Sequence, residues 1–441
     1  MRIALIGPKR NLWSNNVKTK TALESLRDFI QPWYTPNLGL LTVAALTPTE
    51  ATFDYIDEQF QHIDFNKAYD IIAISVMTQQ ANRAYLIGDK FRQKGQFVIM
   101  GGIHPTLLPD EAIEHSDSII MGEAELLWPE FIRDFSSGNP KKIYRTDELA
   151  QLRYSPIPRY DLLKEKYTKR RPEYFSMVPL QVTRGCPHDC YYCVASNIFG
   201  KKYRTKEIQQ IVNEITFIKQ FLPNYVLMFA DDNLFAKKHF ARRLMEAITP
   251  LNIKWLCQSD ISIGKSDELL RLARKAGCIG MLIGLESLST KTLEKVNKNK
   301  WKSRHIASYE KYIHNIQQKG IIVYAAFIFG FDGDSVDVFE ETRDFMLRNN
   351  ILGQFTILTP LPGTRLRDQL RKQERLLCPS QWDMYTFFDV TYKPTNISTK
   401  ELEDNLIWLY QQIYNMGAHV KRVKYMKQIY KSLMKVSHGR T

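Results

Sequence analysis

Gly185-Cys186-Pro187-His188-Asp189-Cys190-Tyr191-Tyr192-Cys193 sets three cysteines in a C-x3-C-x2-C run. Val178 to Thr183 reads as a buried strand, and Arg184-Gly185 turns it into the cysteine loop. Three thiolates this close in sequence can hold three corners of one cubane iron–sulfur cluster, which normally takes four cysteines. A missing fourth leaves one iron open for chemistry. Zinc is a competing reading, with His188 as fourth ligand, but zinc ribbons and fingers favour two separated ligand pairs. Buried thiols acting as small hydrophobes are another. Six cysteines in 441 residues, with no secretory signal before them, argue against disulfides. Cys257, Cys278 and Cys378 are scattered and read as core or incidental residues.

The chain is long enough for two or three domains, and its 44% hydrophobic and 24% charged composition is ordinary for a globular protein. No apolar run approaches a membrane span. Met1 to Gly7 reads as a first strand and not a targeting peptide, so a cytoplasmic, reducing location is expected. The net charge of +14 raises affinity for phosphates, nucleic acid or anionic lipid without choosing among them. Ala418 to Thr441 carries seven Lys or Arg and no acid, most simply a solvated helix face.

Residues 1–140 alternate strand and helix signals. Strands are expected at Arg2–Gly7, Thr52–Ile56, Ile71–Val76, Gln96–Met100 and Ser118–Met121, with helices at Thr78–Lys94 and Glu125–Phe135. That alternation indicates a parallel, doubly wound (Rossmann-like) α/β sheet, whose ligands bind beyond the carboxyl ends of the strands. Residues 141–179 read as a linker, with Ile157-Pro158-Arg159-Tyr160 as a docking turn. Residues 180–394 give a second series, with strands at Leu180–Thr183, Val226–Ala230, Ile253–Gln258, Gly280–Gly284, Ile321–Gly330 and Gln354–Thr359. Six such units suit a partial (β/α)6 barrel, where catalytic groups gather at the carboxyl strand ends. Residues 395–441 read as a basic helical segment, with Leu402, Leu406, Leu409, Ile413 and Met416 at helical spacing.

The barrel strands end in polar motifs: Asp231-Asp232-Asn233, Gly284-Leu285-Glu286-Ser287, Gly330-Phe331-Asp332-Gly333-Asp334 and Pro360-Leu361-Pro362-Gly363. Alone, an Asp-Asp-Asn is more often a turn or cap. Following the cysteine loop in this order, the set resembles the radical S-adenosylmethionine (SAM) superfamily. The resemblance implies a [4Fe–4S] cluster on Cys186, Cys190 and Cys193 as the catalytic centre, its open iron chelating SAM. It implies SAM contacts from Asp231, Asp232 and Asn233 to the methionyl ammonium and from Glu286 and Ser287 to the ribose. It also implies one from the Gly330 strand end, and Tyr192 packing near the adenine.

A doubly wound domain ahead of the barrel resembles the cobalamin-binding subgroup, over residues 1 to about 395. Its markers are Pro36-Asn37-Leu38-Gly39-Leu40, Ser75-Val76-Met77-Thr78, Gly101-Gly102-Ile103-His104-Pro105 and Gly122-Glu123-Ala124-Glu125. The resemblance implies cobalamin contacts at Ser75, Thr78, Gly101, Gly102, Gly122 and Glu123. No Asp-x-His occurs in the chain, which argues for cobalt without a histidine ligand; a degenerate, empty shell is the alternative. His104 is read as a turn or core histidine.

The implied activity is reductive cleavage of SAM to a 5′-deoxyadenosyl radical, then methylation of an unactivated carbon or phosphorus of a small-molecule, lipid or tetrapyrrole substrate. A cyclase or rearrangement enzyme without methyl transfer is the alternative, and a zinc-containing nucleic-acid-binding protein a distant one. The expected partners are the substrate and an electron donor such as flavodoxin or ferredoxin, with no nucleic acid. Trp408, Tyr410, Tyr414, Tyr425 and Tyr430 accompany the basic C-terminal run, and are read either as a lid on the barrel mouth or as a membrane-surface contact.

Overall fold

In the computed structural model, residues 1–11, 13–26, 35–164, 177–222, 225–296 and 299–438 are described. Part of the expected linker, 165–176, lies outside them.

Two six-stranded, wholly parallel sheets organise the chain. The first contains β1 (Arg2–Gly7), β2 (Thr52–Asp57), β3 (Ile71–Ser75), β4 (Phe97–Gly101), β5 (Ser118–Met121) and β6 (Ile143–Arg145), in the order β2-β1-β3-β4-β5-β6. Ile71 to Ile74 are all buried, as helices on both faces of a parallel sheet require. The strand order reverses between β1 and β3, which opens a crevice at their carboxyl ends. β6 comes from the segment expected to be linker; only Tyr144 of its three residues is buried, too little pattern to show as a strand.

The second sheet contains β7 (Met177–Leu180) and, after a short antiparallel pair β8 (Thr183–Arg184) and β9 (Arg204–Thr205), β10 (Val226–Phe229), β11 (Trp255–Ser259), β12 (Cys278–Glu286), β13 (Ile322–Phe329) and β14 (Leu352–Ile357). Its order β14-β13-β12-β11-β10-β7 is that of an open barrel with two free edges. The expectation that the first barrel strand reaches Thr183 is corrected: β7 ends at Leu180, Thr183 and Arg184 pair with β9 instead, and β7 itself runs through Pro179. An edge strand tolerates the missing N–H, because it is bonded to β10 alone.

Alternation sets the barrel's two faces. Phe327 packs on Phe345 and Phe329 stacks on Phe339 of the outer helix Asp337–Arg348. The alternate residues Tyr324, Ala326 and Ile328 therefore face the lumen, where they are half-buried.

The two sheets share one apolar core, in which Ile3, Leu5 and Trp128 are continuous with Val178, Phe229 and Phe327. The docking turn joins them: Arg159 N–H donates to Leu41 O at 3.1 Å, and the buried Tyr160 hydroxyl donates to Pro179 O at 2.9 Å and Glu214 Oε1 at 3.0 Å. Later segments return to the first domain, where Trp382 Nε1 donates to Glu111 at 2.6 Å and Asn15 N–H to Asp389 at 2.9 Å.

The C-terminal aromatics do not lid the mouth. The helix Thr399–Ile413 lies along the free edge of β14. Tyr410 Oη accepts from Phe355 N–H at 3.1 Å and donates to Phe355 O at 2.9 Å; Tyr414 does the same for Gly353, at 3.1 and 2.6 Å. Hydroxyls four residues apart on a helix thus satisfy every second residue of an edge strand, a device against edge pairing. Trp408 packs under Arg343. Tyr425 and Tyr430 of the helix Met416–His438 bond Gln317 and Gly320 O, at the amino ends of the strands and so opposite the mouth.

Candidate active site

Gly185 has φ +89°, a conformation open to glycine, and a Cβ there would meet Gly200 O at 3.0 Å. The turn it makes carries Cys186, Cys190 and Cys193 to the carboxyl end of the barrel sheet. All three are free thiols. Burial, helped by Asp232 and the neighbouring Cys190, pushes the Cys186 thiol up to about 12 and Cys193 to about 11. Only a cation would hold thiolates there. Among the described residues no group of three or more His, Cys, Asp or Glu is disposed around a single ion. The thiols are close enough to perturb one another, and a cubane takes one thiolate at each of three corners. His188, the fourth ligand of the zinc reading, has protein partners on its ring. Its Nε2 pairs with Asp260 Oδ2 at 3.2 Å and its ring lies 4.2 Å from Trp301.

The strand-end residues around the loop divide into braces and open groups. Asp231 is fully buried; one carboxylate oxygen accepts from Val182 N–H at 3.0 Å and from the Thr183 N–H and hydroxyl, while the other has no partner. Burial pushes it up to about 7 despite those donors. Asp232 is open at the mouth yet ringed by protein, which raises it to about 6. Asn233, expected on the SAM ammonium, is instead taken up internally: its Nδ2 donates to Asp260 Oδ2 at 2.6 Å. Burial opposes the charge on Asp260, but bonds from His188, Ser262 and Asn233 overcome it and hold it down at about 2.

Glu286 adopts φ +69° and accepts from Lys302 Nζ at 2.6 Å and from the Tyr192 hydroxyl. Lys302 is buried and also donates to Gly284 O at 3.2 Å. Tyr192 also packs edge-on against Phe331 at 6.0 Å. Ser287 is buried, its hydroxyl accepting from Ser289 N–H at 3.0 Å. Gly330, at φ +99°, donates its N–H to Asp334 Oδ2 at 3.0 Å, and Tyr392 bonds its carbonyl. The expected SAM residues are therefore gathered about the cysteine loop, with Asp232 and Glu286 presenting carboxylates and Asp231, Asn233 and Ser287 bonded to neighbouring protein groups.

Across the domain interface lies a cavity of about 290 Å³. From the first domain it is lined by Gly39, Ser75, Gly101, Gly102, Gly122 and Glu123; the barrel closes it with Gln181, Arg184, Phe199 and Ala230. Gly102, at φ +101°, lies so close to Val76 that a Cβ would press on its backbone at 3.0 Å, while Gly122, at φ +109°, has nothing within 4 Å of its Cβ position. Gly102 thus lets the chain pack closely on Val76, while Gly122 leaves bare backbone where a flat ligand such as the corrin of cobalamin could approach. Ser75 is tethered by Asn37 Nδ2 at 2.9 Å. Thr78 lies outside the cavity, buried in the turn that starts the next helix. No histidine lines the cavity among the described residues, and His104 is buried against Tyr85, 2.8 Å from its hydroxyl. Glu123 reaches the cavity, but its carboxylate holds Arg204 at 2.6 Å and Ala150 N–H at 2.8 Å.

Four site residues escaped the sequence. Arg184 is forked by Glu125 at 2.6 and 3.0 Å, so the first domain grips the residue two before Cys186. Arg204, Lys302 and Asp260 complete the set. Asp260 follows strand β11, and asking each strand end for a carboxylate would have found it. Nothing local marks the two arginines or the lysine, whose partners are distant in sequence.

The family model for the radical SAM superfamily matches residues 180–346. The chain is 31% identical over 394 residues to the bacteriochlorophyllide d C-12(1)-methyltransferase of Chlorobaculum tepidum, covering 88% of this chain and 84% of that one. It is 24% identical over 377 residues to the anaerobic magnesium-protoporphyrin IX monomethyl ester cyclase of Cereibacter sphaeroides, covering 78% and 60%. The fold is similar to that of the radical SAM methyltransferase TsrM from Kitasatospora setae, solved with cobalamin and a [4Fe-4S] cluster bound. The TM-score is 0.66 at 15% identity, covering 92% and 88%.

Proposed function

The chain belongs to the radical SAM superfamily, in the group with a doubly wound domain ahead of the barrel, and on that premise we propose that it is a cobalamin-dependent radical SAM methyltransferase. Its substrate is a small molecule with an unactivated carbon, of which a tetrapyrrole is the form the relatives favour. The observation that carries this is the placement of the interdomain cavity. It opens at the carboxyl ends of both sheets, and Arg184 lines it two residues before the first cluster cysteine.

Bound there, the cluster and SAM would supply a 5′-deoxyadenosyl radical and cobalamin a transferable methyl group. The chain's own part is placement. Cys186, Cys190 and Cys193 hold iron; Asp232 accepts from the SAM ammonium, with Asp231 bracing the cysteine loop behind it; Glu286, oriented by Lys302, accepts from ribose hydroxyls. Gly101, Gly102 and Gly122 admit the corrin, and the lumen face around Tyr324 and Ile328 shields the substrate from water. A low-potential carrier such as flavodoxin or ferredoxin supplies electrons. A reducing, cytoplasmic setting suits six free cysteines. No described helix is long and apolar enough to cross a membrane. Peripheral contact is supported by Met416, Val420 and Val423, exposed beside Lys421, Lys424 and Lys427, and liposome flotation tests it.

The decisive experiment is anaerobic turnover with methyl-deuterated SAM, hydroxocobalamin, reductant and bacteriochlorophyllide as probe. A product heavier by a labelled methyl supports methylation. 5′-Deoxyadenosine with unlabelled, altered tetrapyrrole assigns the cyclase reading instead, and absence of 5′-deoxyadenosine refutes radical chemistry.

A further inference from the structure

The loop between Cys186 and Cys190 reaches the surface at Pro187, which is exposed. Its next residue, His188, begins an aromatic column. The His188 ring lies 4.2 Å from Trp301, and Trp301 lies 4.6 Å from His305. The inner end is anchored by Asp260 on His188, and the outer end, His305, is half-buried. The charged neighbours that His305 feels include Lys265, Arg304 and His188. Lys265, Lys300 and Arg304 are all exposed. Lys300 pairs with Glu294 at 3.5 Å; among the described residues, neither Lys265 nor Arg304 is paired with an acid. Asp260, the carboxylate that acts on His305, lies beneath His188 and is largely buried. On the loop's other flank, Asp189 is already bridged by Lys201 at 2.9 Å and Arg365 at 3.0 Å, so its charge is neutralised.

A cluster that must be reduced on every cycle needs an electron from outside the chain. An entry face for it has to combine a short path through contacting aromatic rings to the cluster loop with a field that recruits the donor. This face has both. We propose that a small acidic one-electron carrier docks over Lys265, Lys300 and Arg304 and passes its electron along His305, Trp301 and His188 to the cluster loop. The step moves one electron: the carrier is oxidised by one, the cluster is reduced by one, and no bond or proton is exchanged. Contacts of this kind are small and transient, and steered by charge more than by buried area. The inference rests on the cluster assignment above and adds the place of electron entry.

The test is stopped-flow reduction of the reconstituted holoenzyme, followed by bleaching of cluster absorbance, with flavodoxin hydroquinone in one arm and dithionite in the other. Lys265→Glu combined with Arg304→Glu should slow reduction by flavodoxin about tenfold or more at low salt. The rate should also lose most of its salt dependence. Reduction and SAM cleavage with dithionite should be unchanged. Trp301→Leu should slow transfer from flavodoxin while a binding titration with oxidised flavodoxin stays as in wild type. Lys421→Glu with Lys427→Glu, at the opposite end of the barrel, should alter neither arm. A wild-type flavodoxin rate in the double reversal overturns the proposal, as does an equal loss in both arms. Failure of the wild-type protein to cleave SAM with dithionite removes the functional reading itself, and this inference with it.

Discussion

Replacing Glu125 with Gln should loosen the two domains and the cluster loop together. Side chains of Arg184 and Glu125 are only 12% and 8% exposed, and they are joined by two bonds at 2.6 and 3.0 Å. Breaking a buried pair from one side costs about 3–5 kcal/mol, because the remaining charge is uncompensated. Glu123 stays 3.6 Å from Arg184 and softens that loss, so about 3 kcal/mol is expected. Urea denaturation of the cluster-free protein measures it, in a double-mutant cycle with Arg184→Gln, where the coupling should be about 2 kcal/mol. The pH dependence has a definite sign. Burial would raise the Glu125 carboxyl, but Arg184 overrides it and holds it below its ordinary 4.5. The stabilisation is therefore full above about pH 4.5 and is lost as pH falls through the lowered value. The gap between wild type and Glu125→Gln should close over that window. Arg184 leads into Gly185-Cys186, so iron content after reconstitution should fall as well. A loss under about 1 kcal/mol at pH 7 without coupling, or a gap that persists at acid pH, would refute the reasoning.

Gly185→Ala should cost about 1–2 kcal/mol from the left-handed backbone alone, and iron and sulfide analysis should show a poorly filled cluster; full loading would contradict the tight turn. Tyr410→Phe with Tyr414→Phe leaves the N–H and C=O groups of Gly353 and Phe355 unpaired, at about 1–3 kcal/mol per orphaned group, and should promote aggregation through β14 in light scattering. Asp232, raised to about 6, ionises above that pH, so SAM affinity of the reconstituted protein should rise as pH climbs past 6. Asp232→Asn should flatten that rise in equilibrium dialysis, and an unaltered profile would show that the ammonium is bound elsewhere.

The cluster loop, the alternating strands and the polar strand ends are all contiguous in sequence, and each carries its physics locally. Three thiols in eight residues, Cys186 to Cys193, must lie close together wherever the chain goes. Val226–Phe229 and Ile322–Phe329 are buried strands by composition and alternation, and Gly102 and Gly122 take conformations that suit glycine. These features decided the fold class and the chemistry. The first barrel strand was carried too far because Thr183 and Arg184 leave the sheet to pair with β9, a partner that the segment itself does not reveal. What each polar group does was decided only in three dimensions. Asn233 braces Asp260, Glu123 clamps Arg204, Lys302 orients Glu286, and Trp301 packs at a tilt against His188, each pair brought together by crossover connections across 27, 81, 16 and 113 residues of chain. A side chain that can accept a hydrogen bond is visible in the sequence. Whether a distant arginine has already claimed it depends on the packing of two sheets, which no local pattern encodes.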